Sequence, residues 1–266
     1  MAEIFTSNGA ISSSDGSAQI VLQSTLDLRT TLSNLNAKGC WIIGTDTGIG
    51  KTRVAQILQT WLPDVFAMKP ISAGAEFFEN QWKNEDAKLL QLVQPNRSLN
   101  QINPIVLRSA CSPHIAAAKQ KMHLTLDFLN QSTIDSIQQA HQIKPFKIAL
   151  LEGVGGLSVP IANDLLLIDW IQQSGLPILL VVGLKLGCLN HALLTKELLN
   201  SQGINSIGWI ASEIDREMPY QAENIQTLKE KLTMPYLGLS SYLKRFNPER
   251  SYASWHPMKL QEELNF

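Results

Sequence analysis

The chain has 266 residues, 44% of them hydrophobic, and carries 22 Lys plus Arg against 23 Asp plus Glu for a net charge of −1. That length and apolar content suit one large α/β core or two small ones and exclude wholesale disorder. A near-neutral chain lacks the positive field that generic nucleic-acid or anionic-membrane binding needs, so neither partner is expected. Charged residues make up only 17%, below the ~25% of average domains. Gln, Asn and Ser therefore cover much of the surface, or part of it is buried against a partner. Three cysteines (Cys40, Cys111, Cys188) without a CxxC spacing indicate neither a disulfide framework nor a zinc knuckle. The opening MAEIF lacks a basic n-region and an apolar h-region, and the longest apolar run, near 176–184, is about half a membrane span. A soluble, cytoplasmic protein is expected.

Residues 7–18 (SNGAISSSDGSA) hold five serines and two glycines, a composition that buries little. They mark 1–39 as a partly flexible N-terminal extension, ending in a short amphipathic helix with Leu28, Leu32 and Leu35 at helical spacing. From residue 40 to 266 one domain is expected, with strand and helix patterns in alternation. CWIIGTD (40–46) reads as a strand and 51–62 as a helix. VFAMKP (65–70) is a second strand stopped by proline. Helices follow at 83–93, 112–119 and 124–143, the last with Leu126, Leu129 and Ile134 on one face. FKIALLEG (146–153) and LPILLVVGL (176–184) are strands apolar on both faces. Weaker strands at 206–212 and 235–240 alternate with helices at 189–202 and 221–232. Apolar strands separated by helices predict a three-layer, doubly wound, mainly parallel sheet covered on both sides.

The strongest chemical element is GTDTGIGKT, Gly44 to Thr52, between a strand and a helix. A polyphosphate needs many backbone N–H donors at close range, and Gly48 and Gly50 supply the freedom to present them. Lys51 places a point charge on the β- and γ-phosphates, Thr52 offers a hydroxyl to Mg²⁺, and the helix dipole aims at the anion. The spacing departs from GxxxxGK[ST], because Thr45 stands where glycine is required and the first glycine comes one residue earlier. The loop predicts a P-loop type of nucleotide site and leaves the reaction open.

Glu152 ends the apolar strand IALLE and is followed by GVGG, at the strand end where open α/β sheets bind ligands and where a carboxylate holds Mg²⁺. Asp86, in KNEDAKLL, is either a second such acid or a first-turn partner of a helix dipole. Lys69 terminates VFAMK ahead of Pro70. A lysine at a strand end is a common event, but Lys51 and Lys69 past the ends of two parallel strands would focus two cations on one site. Phosphoryl transfer relies on such electrostatic positioning. His114 and His191 are lone histidines with no metal-ligand spacing. The glycine turn in LKLGCLNHALL (184–194) opens a helix, an anion-binding geometry or simply a helix start.

As a set, GTDTGIGKT, KPISAG, NEDAKLL, the SPH of CSPHIAA, LEGVGGLSVPI and VVGLKLGCLNHALLT resemble the dethiobiotin synthetase family, from about Trp41 to Leu239. The resemblance implies a seven-stranded P-loop fold and a homodimer whose site lies at the subunit interface. It implies an ATP- and Mg²⁺-dependent ligase of biotin biosynthesis that closes a cyclic urea on 7,8-diaminononanoate with CO2. It further implies a catalytic role for Lys69 with Lys51, and Thr52, Asp86 and Glu152 as magnesium ligands. Nucleotide contacts are implied for Gly48, Ile49, Gly50, Lys51, Thr52 and Arg53, for Asp86, for Glu152, Gly153, Val154 and Gly155, and for Ser212 and Glu213. Thr47 and Lys69 are placed against the substrate, and Gly187, Cys188 and Asn190 of a neighbouring subunit receive its carboxylate.

Three departures stand out. Ala73 replaces a hydroxyl that commonly touches the substrate, with Ser72 beside it pointing the other way. Gly48 stands where some members have glutamate. Ser212 and Glu213 replace an Asn–Asp pair that reads adenine, so weaker base selectivity is expected. The rival reading is another ATPase of this fold, acting as an amide ligase or a nucleotide switch. The amide ligases add a glutaminase domain for which this chain is too short, and the partitioning switches carry a further lysine where Thr45, Asp46 and Thr47 stand.

Overall fold

The structure is a computed structural model and describes residues 28–242; the serine-rich stretch 7–18 and the tail beyond 242 lie outside the described residues. Helix α1 (Leu28–Asn34) buries Leu28 and Leu32, so the end of the 1–39 stretch contributes to the core. Strand β1 (Lys38–Gly44), helix α2 (Lys51–Trp61) and strand β2 (Val65–Met68) follow in the expected order. Next come three short strands, β3 (Ile71–Ala73), β4 (Ala75–Phe78) and β5 (Gln81–Asn84), then α3 (Glu85–Leu92), α4 (Leu99–Ile102) and β6 (Ile105–Leu107). Helices α5 (Pro113–Lys119) and α6 (Leu126–Ile143) lead to β7 (Ile148–Glu152), the short pair β8 (Pro160–Ala162) and β9 (Leu165–Leu166), and α7 (Leu167–Ser174). The last elements are β10 (Ile178–Leu184), α8 (Cys188–Ser201), β11 (Ser206–Glu213), α9 (Gln221–Lys231) and β12 (Tyr236–Ser240).

The central sheet has six strands in the order β12-β11-β10-β1-β7-β2, all parallel. Every residue of β10 is buried, as expected for a strand covered on both faces. The resemblance implied seven strands. Among the described residues the sheet has six, because β2 ends at Met68 and the chain resumes as β3 only after Lys69–Pro70, pairing with β6 in a separate two-stranded sheet. Proline has no N–H to continue the ladder, which fits the break at that point. From β1 the chain adds β2 and β7 on one side, then crosses to β10, β11 and β12 on the other. The reversal beside β1 opens the crevice at the strands' carboxyl ends where such sheets bind ligands.

Two features fix the geometry of that crevice. Trp41 on β1 stacks edge-on against Trp170 of α7 at 5.1 Å, and each indole N–H finds a buried acceptor, Ser174 Oγ and Asn130 Oδ1 respectively. Ile49, in the loop after β1, is buried against two glycines. A Cβ on Gly44 would lie 2.6 Å from its Cδ1, and one on Gly183 of β10 would lie 2.6 Å from its Cγ2. The loop is thus plugged into the sheet by one isoleucine.

Gly183→Val should overpack this contact and destabilise the fold by about 1–3 kcal/mol, the usual cost of added core volume. Denaturant unfolding of Gly183→Val and of Gly183→Val with Ile49→Ala measures the coupling. The double variant is expected to regain part of the loss, and strict additivity would break the link between strand and loop.

Candidate active site

The loop from Thr45 to Gly50 turns into α2 through two left-handed residues, Gly48 (φ 69°) and Gly50 (φ 88°), a conformation that side chains resist. Gly44 shows why the first glycine stands one position early. A Cβ there would sit 3.0 Å from Lys51 Nζ, which folds back to donate to the Asp46 carbonyl at 2.8 Å. Burial, and then the charge of Lys69, bring the Lys51 ammonium down to about 8.

Sheet register places the second lysine. Met68 pairs with Leu151, so one residue further Lys69 comes alongside Glu152. Its Nζ lies 2.7 Å from Glu152 Oε1 and 2.9 Å from Asp86 Oδ2, and donates to the Gly153 carbonyl at 3.2 Å. Thr52 Oγ1 stands 2.9 Å from each acid. The backbone of Lys69 is pinned as well: its N–H donates to Ile102 O, and Asn103 Nδ2 donates to its carbonyl, both at 2.7 Å. Asp86 is set by Asn84, whose side chain caps α3 by accepting from the Asp86 N–H and donates to the Ala73 carbonyl.

The three charges differ in how firmly they are held. Burial opposes charge on Lys69, but Glu152 and Asp86 outweigh it and hold the ammonium above its ordinary value. Burial likewise pushes Asp86 up, and Lys69 reverses this to leave the carboxyl below its usual range. Glu152, 1% exposed, is pushed up by burial, with Lys69 opposing in part. Lys69 is thus held charged by both acids, Glu152 first, while Glu152 itself is the weaker acid of the two. Glu152 Oε2 is buried with no hydrogen-bond partner, a cost that a bound cation would relieve. Hydroxyl and carboxylate oxygens converging in this way suit a hard divalent ion such as Mg²⁺. A cleft of about 750 Å³ spans the loop, both lysines, Ala73 and Glu152.

A family model described as an AAA domain matches residues 38–250. The ATP-dependent dethiobiotin synthetase of Vibrio parahaemolyticus is 37% identical over 208 residues, covering 76% of this chain and 89% of the relative. That of Pseudoalteromonas translucida is 39% identical over 210 residues, covering 77% and 90%. The chain belongs to the dethiobiotin synthetase family. Among solved structures, chloroplast FtsY from Physcomitrella patens aligns with a TM-score of 0.48 and 13% identity over 89% of this chain and 71% of that one.

The remaining residues singled out in this synthetase sequence fall into three places. Thr47, Arg53, Val154 and Gly155 line the cleft, and the Thr47 hydroxyl lies 3.3 Å from where a Cβ on Gly155 would be. Ile49 also borders the cleft, with its side chain buried against Gly44 and Gly183. Ser72 hydrogen-bonds Asn103 Oδ1 at 2.7 Å, so its hydroxyl is committed. Ser212 and Glu213, at the end of β11, do not line the cleft: a Cβ on Gly50 would lie 2.7 Å from Ser212 Oγ, and Glu213 accepts from the Tyr242 N–H. Gly187, Cys188 and Asn190 open α8; Cys188 is buried, Gly187 and Asn190 are exposed, and none lines this chain's own cleft.

Sequence reasoning missed Asn84, Asn103 and the Asp46–Lys185 pair. Asn84 had a signal, since an asparagine just before an acidic helical turn is a cap signature. Lys185 had none. Its Nζ reaches Asp46 Oδ2 at 2.6 Å across 139 positions of sequence, and this bond, with the Thr47 N–H, holds the Asp46 carboxyl below its usual value.

Because burial and Lys69 bring the Lys51 ammonium down to about 8, its charge is largely present at pH 7 and lost as pH rises. Nucleotide affinity measured by calorimetry should fall towards about pH 9, with proton uptake on binding at the upper end. An affinity flat across that range would remove the Lys51 charge from phosphate recognition.

Proposed function

We propose that this chain is a cytoplasmic homodimer that closes a cyclic urea on 7,8-diaminononanoate with CO2, using ATP and Mg²⁺ and giving dethiobiotin, ADP and phosphate. The observation that carries this reading is the meeting of Lys51, Lys69, Thr52, Asp86 and Glu152 in one cleft of a dethiobiotin synthetase-family chain. In the first step a neutral substrate amine adds to CO2 and loses a proton, leaving a carbamate. The carbamate oxygen then attacks the γ-phosphorus and ADP departs. Finally the second amine attacks the carbonyl carbon, phosphate leaves, and the ring closes. Two anions must approach each other in the second step. Lys51 and Lys69 offset that repulsion, each worth about 4 kcal/mol for a contact near 4 Å at an effective dielectric of about 20. Cations beside the substrate also disfavour its protonated amine, keeping the nucleophile neutral.

Thr52, Asp86 and Glu152 would hold Mg²⁺, which supplies charge neutralisation on the β- and γ-phosphate oxygens. The N-terminal turn of α8 presents Gly187 and Asn190 outwards, with the Cys188 side chain buried, and its helix dipole suits a substrate carboxylate in the cleft of a second copy. Leu186, 94% exposed, and Leu194, 62% exposed, flank that turn and suit coverage by the same second copy. The three free cysteines agree with a reducing cytoplasm. Among the described residues no helix is long and apolar enough to cross a membrane.

Pure protein incubated with diaminononanoate, bicarbonate, Mg²⁺ and ATP should yield the cyclic urea, detected by mass. Lys69→Ala is expected to lower product formation by about a thousandfold or more while retaining ATP binding, as for loss of a transition-state contact worth ~4 kcal/mol. Equal turnover by variant and parent would take Lys69 out of the chemistry. With Ser212 and Glu213 at the base-reading positions, replacing ATP by CTP or GTP should cost less than about tenfold in kcat/KM, a difference of ~1.4 kcal/mol. A strong measured ATP preference would overturn that expectation.

A further inference from the structure

An ammonium has three N–H donors, and all three of Lys69 are spent. They go to Glu152 Oε1 at 2.7 Å, Asp86 Oδ2 at 2.9 Å and the Gly153 carbonyl at 3.2 Å. Nothing is left with which to touch a phosphoryl or carbamate oxygen. Meanwhile both carboxylates lie 2.9 Å from the one Thr52 hydroxyl and Asp86 raises the Glu152 carboxyl by its charge, an arrangement that repels itself unless a cation sits against it. Lys69 is that cation, and it is 4% exposed. Its backbone is fixed by Ile102 and Asn103, so any change of partner must come from side-chain torsions alone.

We propose that Lys69 is the site's internal counter-ion, seated on the metal's ligands until a divalent cation takes them, and that this exchange frees its ammonium for the terminal phosphoryl group. The inference rests on the reading of Thr52, Asp86 and Glu152 as metal ligands given under the proposed function. It makes the metal an activator of the lysine besides a neutraliser of phosphate. It also means that the nucleotide-free enzyme holds divalent ions weakly, since each must displace two charge-assisted hydrogen bonds. Lys51 provides the internal contrast, because it lies in the same cleft but spends a donor on the Asp46 carbonyl and contacts neither acid.

The test is Mn²⁺ binding to nucleotide-free protein, followed by electron paramagnetic resonance. Lys69→Met should bind Mn²⁺ about tenfold or more tightly than the parent, whereas Lys51→Met, which removes an equal charge from the cleft, should gain less than about threefold. Equal gains in the two variants overturn the proposal. Should Lys69→Met fail to fold, the parent decides: the 15Nζ resonance of Lys69 is expected to move as Mg²⁺ saturates, and an unmoved signal overturns the proposal. Glu152→Gln separates the two layers. If it loses Mn²⁺ while the lysine variants match, the ligand assignment survives and only the counter-ion role falls. If it binds Mn²⁺ as the parent does, the ligand assignment falls and the counter-ion role with it.

Discussion

The contact of buried Lys69 with buried Glu152 and half-buried Asp86 is the constraint to which the surrounding structure answers. Removing either partner of the buried Lys69–Glu152 pair costs about 3–5 kcal/mol, because the other is left charged and dry. The exposed counterpart, Asp46 with Lys185, joins groups that are 40% and 37% exposed, and pairs of that kind are worth about 0–1 kcal/mol. The buried set therefore dominates, and several otherwise unremarkable residues serve it. Parallel register between β2 and β7 brings Lys69 level with Glu152. Asn103 holds the lysine's carbonyl and Asn84 holds the helix turn that carries Asp86. Three segments distant in sequence must close together before any of these charges is compensated.

Much of this was legible in the sequence because long apolar strands and glycine loops announce themselves. The doubly wound sheet, the loop ending at Thr52 and the acid at the end of IALLE all follow from periodicity and strand ends. The small elements were not legible. Strands β3 and β6 are three residues each, too short for an alternating pattern to stand out. The β4–β5 hairpin turns through Glu79 and Asn80, both left-handed at φ 51° and 59°, where a sequence reader looks for Asn-Gly. The expected helix over 83–93 accordingly starts later, at Glu85, because residues 81–84 form a strand.

The site itself was legible by residue type but not by its resting arrangement. Strand ends implied that Lys51, Lys69 and Glu152 would meet, and the family resemblance added Asp86. They did not imply that both ammonium groups would be turned onto the protein's own oxygens, since that depends on side-chain torsions and on the dryness of the pocket. The orphaned Glu152 Oε2 is a product of the same dryness. No composition or spacing argument reaches that level of detail.

One contact described above ties two positions that would otherwise vary independently. Ser212 lies directly behind Gly50, with room for no Cβ on that glycine. The end of β11 and the turn into α2 are therefore one mechanical part. A bulkier residue at 212 would press on that turn. Changes at positions 50 and 212 are thereby coupled by sheer crowding.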